Sequence, residues 1–214
     1  MYIDPAWLEK HDQIIVVSTS SWETTQGNLR CYERDGIGYQ MIGEVVDVVV
    51  GLNGMAWGRG LYEICGETGP IKIEGDNKSP AGIFNLKSSF GISSKFKTKL
   101  PYFQISVATE AVDDPSSQYY NRIIENDKIS HKDWNSSEKM IECLPFYNLG
   151  IVIDHNSNPP IPRCGSCIFM HVWRSNDDGT AGCTAMAESD LVKILEWLDP
   201  MANPILIQAP NINF

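Results

Sequence analysis

Hydrophobic and polar residues follow a period of two over much of this chain. "DQIIVVSTS" (12–20) is an apolar run entering a polar turn, "NLRCYER" (28–34) alternates, and "EVVDVVVG" (44–51) is β-branched and closes at a glycine. Each predicts a strand. "GLNGMAWGRGL" (51–61) carries four glycines and predicts a loop with unusual backbone angles. "GETGPIKIEGDNKSPAGIFNL" (66–86) predicts short strands joined by turns, and "LPYFQISVAT" (100–109) a further strand. "DDPSSQYYNRIIE" (113–125) is turn-like at Pro115, with a helix expected after Ser116. "LGIVIDHN" and "SCIFMHVW" are strongly apolar and predict buried central strands. In the second, alternation sets Cys167, Phe169 and His171 on one face and Ile168, Met170 and Val172 on the other.

One segment breaks the pattern. In "ESDLVKILEWLDP", Leu191, Ile194, Leu195 and Leu198 recur at helical spacing, with Ser189 as expected N-cap and Pro200 as stop. "PILIQAP" adds a last strand. About eight strands to one or two helices, without repeated βαβ units, predict a mainly β fold: a β-sandwich or open barrel with one or two packed helices. No linker divides residues 1–214, so one domain is expected.

Composition narrows the function. The chain has 214 residues, 43% of them hydrophobic, and a net charge of −10. An acidic protein with scattered basic residues is a poor match for nucleic acid. Lys95, Lys97 and Lys99 alternate along one stretch and are expected to be solvated. No stretch reaches the ~20 apolar residues of a membrane span. "MYIDPAWLEKHDQ" lacks the pattern of a signal peptide.

The chemistry concentrates in "MHVWRSNDDGTAGCTAM" (170–186). His171 ends an apolar run, and Cys183 follows twelve residues later, after Gly182. A glycine before a nucleophile lets a substrate carbonyl approach closely, and the amides of Gly182 and Cys183 could face a developing oxyanion. A helix is expected to begin a few residues on, its N-terminal potential favouring thiolate. His171 is either a satisfied core residue at a strand end or the base of a Cys/His pair. His155 is a second candidate base, with no cysteine after it until Cys164. His11 and His131 sit among polar residues and are expected to be exposed. The competing chemistry is zinc: Cys164, Cys167 and His171 have plausible spacing, with Cys183 as fourth ligand.

"HVWRSNDDGTAGCTAM" resembles the active-site segment of the L,D-transpeptidase catalytic-domain family (YkuD-like), a strand-end His, a loop and then Ser-His-Gly-Cys. "GDNKSPAGIFNL" resembles that family's Gly-Asp-x-x-Thr-Pro-x-Gly-x-Phe/Tyr stretch, and "DDPSSQYYNRII", "DWNSSEKM" and "LGIVIDHN" resemble segments of a branch with longer insertions. The likeness runs over roughly 44–208. It implies Cys183 as nucleophile, His171 as base, Gly182 before the nucleophile and the Val172 carbonyl as holder of the imidazole. Asp177 and Asp178 are the acidic residues near enough in sequence to orient the His. Two features depart from the pattern. Thr180 and Ala181 replace Ser-His, and no basic residue follows the Cys, with Arg174 as the candidate replacement. The implied activity is cysteine acyl transfer on peptidoglycan stem peptides, as an L,D-transpeptidase or an L,D-carboxypeptidase, without a cofactor. The implied location is the periplasm or cell surface. An inactive wall-binding protein is the alternative without catalysis. Expected substrate contacts are Trp173, Arg174, Tyr119, Asn121 and Asn156. The six cysteines, Cys31, Cys65, Cys143, Cys164, Cys167 and Cys183, include some expected to pair in an oxidising compartment.

Overall fold

The computed structural model describes residues 3–62, 68–212 and 214; Cys65 lies outside them. After a short helix α1 (Pro5–Leu8), the strands run β1 (Gln13–Thr19), β2 (Gln26–Asp35), β3 (Gly38–Val49), β4 (Met55–Trp57), β5 (Ser79–Gly91), β6 (Tyr102–Gln104) and β7 (Thr109–Val112). They continue with β8 (Arg122–Glu125), β9 (Ser137–Lys139), β10 (Leu149–Ile153), β11 (Phe169–Val172) and β12 (Thr184–Met186), then helix α2 (Glu188–Trp197) and β13 (Ile205–Pro210).

The main sheet runs β10-β11-β12-β3-β2-β1-β13-β5, and a further pairing of β10 with β5 closes it on itself. Most pairings are antiparallel; β1–β13 and β11–β12 are parallel. Closure removes sheet edges, which otherwise invite pairing with other chains.

Period-two patterning sorts the apolar residues. Ile15 and Val17 join Leu29, Phe84, Ile151, Met170 and Met186 in the largest core, and α2 adds Leu191, Ile194 and Leu195 to it. Ile14 and Val16 face the other way, under Trp7, Leu8 and Tyr62. Burying each such aliphatic side chain contributes about 1.5–3 kcal/mol. A third cluster covers the opposite part of the sheet's outer face. There Phe90, Phe169, Cys167 and Cys183 pack under Ile105, Ala111, Met140 and Tyr147. Its cover comes from the segment between β6 and β10, which carries a small three-stranded sheet, β8-β7-β9.

Three local expectations fail for physical reasons. No helix follows Ser116. Asp114 accepts from the Ser116 amide and hydroxyl, Asp133 accepts from the Ser117 hydroxyl and the Gln118 amide, and β8 then pairs with β7. Side-chain acceptors of this kind compete with helical hydrogen bonds. The strand expected over 100–109 is two short ones, β6 and β7, separated by a turn in which the Ser106 amide donates to Thr109 Oγ1. At α2 the N-cap is Ala187, not Ser189, because β12 runs to Met186 and the chain enters the helix at once. Glu188 and Asp190 supply negative charge to that first turn.

Candidate active site

The parallel pair β11–β12 builds the centre of the site. Its register sets Met170 beside Thr184 and His171 beside Ala185, so Phe169 falls beside Cys183. Side chains alternate along both strands. Phe169, His171 and Cys183 therefore share one face, as the alternation in "SCIFMHVW" requires, and Phe169 and Cys183 lie in one cluster with Cys167. The imidazole and the thiol are diagonal neighbours across the two strands, and among the described residues no hydrogen bond joins them.

The ring of His171 is fixed from two sides. Nδ1 lies 2.8 Å from the Val172 carbonyl oxygen. A carbonyl only accepts, so Nδ1 carries the hydrogen and Nε2 keeps its lone pair. The Tyr147 ring meets the imidazole edge-on, with centroids 5.3 Å apart. Burial pushes the imidazole below its ordinary pKa, partly offset by the Val172 carbonyl. The imidazole is thus held neutral, with Nε2 unpartnered among the described residues.

Cys183 is 8% exposed. Its sulfur accepts from the Phe169 amide at 3.3 Å, and the thiol donates to the Cys167 carbonyl at 3.8 Å. Burial pushes the thiol up to about 12, with the Glu138 carboxylate adding to the rise and the Phe169 amide and Lys72 ammonium opposing it. No helix starts at the sulfur: β12 lies between Cys183 and α2. The thiolate-favouring helix potential expected from the sequence is absent for that reason.

Gly182 has φ +152°, a conformation that L side chains rarely adopt, and a Cβ there would lie 3.2 Å from both Ile168 and the Lys78 carbonyl. Its amide donates to Thr180 Oγ1 at 3.0 Å, and Thr180 Oγ1 in turn donates to the Cys183 carbonyl at 2.6 Å. Ser79 Oγ donates to the same carbonyl at 2.8 Å. The Gly182 amide is thus engaged inside the turn. The Cys183 amide has no acceptor among the described residues.

A pocket of about 450 Å³ opens at His171, lined also by Trp173, Arg174, Tyr147, Thr180 and Ala181 among others, and Cys183 is not part of its lining. The Arg174 guanidinium sits over the Phe146 ring at 5.3 Å. Of the expected substrate contacts, Trp173 and Arg174 are brought to the base and three residues are not. Tyr119 packs edge-on against Trp134, centroids 5.4 Å apart. Asn121 donates to the carbonyls of His155 and Asn156 and accepts from the Cys167 amide. Asn156 donates to the carbonyls of Ile161 and Gly165 and accepts from the Ile161 amide. These two amides clip loops together, with both N–H groups of each donating and each oxygen accepting once. Asp177 and Asp178 line the rim of the pocket and are exposed, while the Val172 carbonyl holds the ring.

His155 is 1% exposed, with Nε2 3.0 Å from the Cys164 carbonyl and Nδ1 accepting from the Arg59 amide. Burial, the largest cause, lowers it to about 4. His11 is buried, against expectation, with Nδ1 2.7 Å from the Asn203 carbonyl; His131 is exposed. Lys95, Lys97 and Lys99 are exposed. The five described cysteines are free thiols. Among the described residues, no group of three or more His, Cys, Asp or Glu side chains converges as a metal site requires. The zinc arrangement read from spacing is not formed.

Sequence reasoning missed the acid beneath the site. Glu138, from β9, accepts from the Tyr147 hydroxyl at 2.8 Å. Burial raises its pKa, with Asp113 and Glu74 adding to the rise. The quoted "DWNSSEKM" contains Glu138, but only the packing of β9 against the barrel brings it near the thiol.

The family model described as the L,D-transpeptidase catalytic domain (YkuD) matches residues 12–207. A comparison with curated proteins gives no match. Among solved structures, the helical cell shape determining protein Pgp2 of Campylobacter jejuni aligns at 14% identity and a TM-score of 0.44, over 95% of this chain and 50% of that one. Its K307A mutant aligns at 12% identity and 0.44, over 98% of this chain and 54% of that one. The chain thus spans about half the length of the solved chains it matches. Among the described residues, no helix is long and apolar enough to cross a membrane.

Proposed function

Because this chain belongs to the L,D-transpeptidase catalytic-domain (YkuD) family, we propose that residues 1–214 form one catalytic domain that transfers acyl groups of peptidoglycan stem peptides through a Cys183 thioester. The observation that carries the reading is the placement of His171 and Cys183 on one face of adjoining strands, with Nε2 of the imidazole left as the free nitrogen.

The steps follow from that placement. Nε2 takes the thiol proton as sulfur attacks an amide carbonyl. The Cys183 amide, free of an internal acceptor, donates to the oxyanion; such a donor contributes about 2.7–4 kcal/mol to the barrier. Gly182 serves by its missing side chain, which lets the carbonyl approach, rather than by its amide. The C–N bond then breaks, the imidazolium returns its proton to the leaving amine, and a thioester remains. An amine from a second stem, or water, gives up a proton to Nε2 and attacks the thioester. The C–S bond breaks, the imidazolium returns that proton to the departing sulfur, and Cys183 and neutral His171 are regenerated. The amine gives a crosslink and water a trimmed stem. Trp173 and Arg174 sit where substrate enters, and such a substrate places the protein in the periplasm or at the cell surface.

A second reading, a wall-binding domain without turnover, is favoured by the burial of the thiol and its high pKa. Incubation with isolated muropeptides and mass spectrometry separates the readings. Wild type is expected to give a crosslinked dimer or loss of the terminal residue, and Cys183→Ala neither. Binding with no product from wild type supports the second reading; product from Cys183→Ala overturns the first.

A further inference from the structure

Lys72 is a buried lysine that the acyl-transfer steps do not use. Its side chain is 3% exposed. The Lys72 amide donates to the Trp57 carbonyl, which fixes where the stem begins. Two glycines make room for it. A Cβ on Gly165, at φ +91°, would lie 3.0 Å from Lys72 Cε, and a Cβ on Gly182 would lie 3.8 Å from Nζ. The stem therefore passes between two loops, and the ammonium ends beside the Gly182–Cys183 turn. Nζ donates to the Ile73 carbonyl at 3.0 Å and to Asp76 Oδ1 at 2.5 Å. An ammonium has three N–H groups, so one is left over. Asp76 is itself pinned, accepting from the amides of Ile73 and Lys78.

Burying a cation is costly unless its surroundings compensate, and one carboxylate rarely does so fully. Around Cys183 the charges are unequal. Glu138 and Cys143 disfavour thiolate there, while Lys72 is the cation that favours it. No basic residue follows the cysteine in Cys183-Thr184-Ala185-Met186.

We propose that Lys72 steadies negative charge at Cys183, with Asp76 of the "GDNKSP" segment holding the ammonium in place. It is a positioning residue acting by its charge on the sulfur, and it deepens the nucleophile reading of the same site. Lys72 would raise the thiolate fraction and oppose the field of Glu138 as the tetrahedral intermediate forms.

The test is peptide-resolved alkylation of Cys183 by iodoacetamide, which reads the sulfur without turnover. Lys72→Met is expected to slow alkylation about tenfold, an effect of the size a nearby charge has on a buried thiol. Lys72→Gln, which keeps length and donors but not charge, should slow it similarly, and Lys72→Arg should stay within about threefold of wild type. Removing the lysine alone leaves Asp76 buried without its partner. Should Lys72→Met unfold, the double variant Lys72→Met/Asp76→Asn, which neutralises both, carries the test. A folded, charge-free variant whose Cys183 reacts within twofold of wild type overturns the proposal, as does Gln restoring reactivity as well as Arg. Product from Cys183→Ala would remove the catalytic reading but leave the measured effect of Lys72 on the sulfur standing.

Discussion

His155 and His171 follow or end neighbouring strands, β10 and β11, and both follow apolar runs. Their surroundings differ at one nitrogen. In His155 both are used: Nε2 faces the Cys164 carbonyl, Nδ1 accepts from the Arg59 amide, and Phe84 meets the ring edge-on. In His171 only Nδ1 is used, and the ring lines a pocket. The first is a crosslink between loops, and the second, the base of the proposed reaction, has its orientation set and no partner at Nε2 among the described residues. The two rings differ in their filled hydrogen-bonding positions and in exposure, His155 being buried and His171 partly exposed, while burial lowers the pKa of both.

The sharpest way to break this contrast is to remove each ring. His171→Ala is expected to lower kcat/KM on muropeptides by about 10²–10⁴-fold, the usual contribution of a positioned base, with little loss of stability. His155→Ala should do the reverse. It leaves the Cys164 carbonyl and the Arg59 amide without partners and opens a void, costing about 2–4 kcal/mol in denaturant unfolding. A folded His171→Ala with wild-type kcat/KM would dissolve the distinction.

Acid sharpens the contrast further. His155 falls from 6.5 to about 4 on folding. Between these values the unfolded chain binds a proton that the native state refuses. Its contribution is fully present above pH 6.5 and is lost as pH falls toward 4, about 3 kcal/mol in all. His155→Gln should flatten that limb of the stability curve. His171 is also lowered, so the acid limb of kcat/KM should lie below 6.5, and His155→Gln should leave it in place. Displacement of that kinetic limb by His155→Gln would mean that the two rings are coupled.

The smallest effects belong to the surface. Lys97 and Lys99 pair with Glu196 and Asp199 while remaining exposed. Lys97→Gln and Lys99→Gln should each change stability by less than about 1 kcal/mol, measured by thermal unfolding, and leave muropeptide turnover unchanged.

Local pattern decides much of this molecule. Alternation alone sets Phe169 and His171 on one face, because successive strand residues point to opposite sides whatever the partner strand is, whereas Cys167, expected on that face, precedes β11 with φ +54°. The 3.6-residue spacing of Leu191, Ile194 and Leu195 likewise fixes α2 and its buried face. Gly182 before Cys183 is visible as a place where a side chain is excluded. Legibility ends where a residue's role depends on something distant in sequence. Asn121 and Asn156 read as polar residues near the chemistry, yet their amides are consumed by loops that only folding brings together. Lys72 and Glu138 lie 111 and 45 positions before Cys183 (183 − 72 and 183 − 138), and no periodicity links them to it.

From its order of residues this protein has most of its strands, its C-terminal helix and its mainly β class, since each of these follows from short-range geometry. The closure of β10 onto β5, the cover laid over the thiol by the β8-β7-β9 sheet, the free nitrogen of His171 and the opposed charges of Lys72 and Glu138 around the sulfur come only with the tertiary structure. They are set by burial and by long-range register, which depend on the whole chain at once.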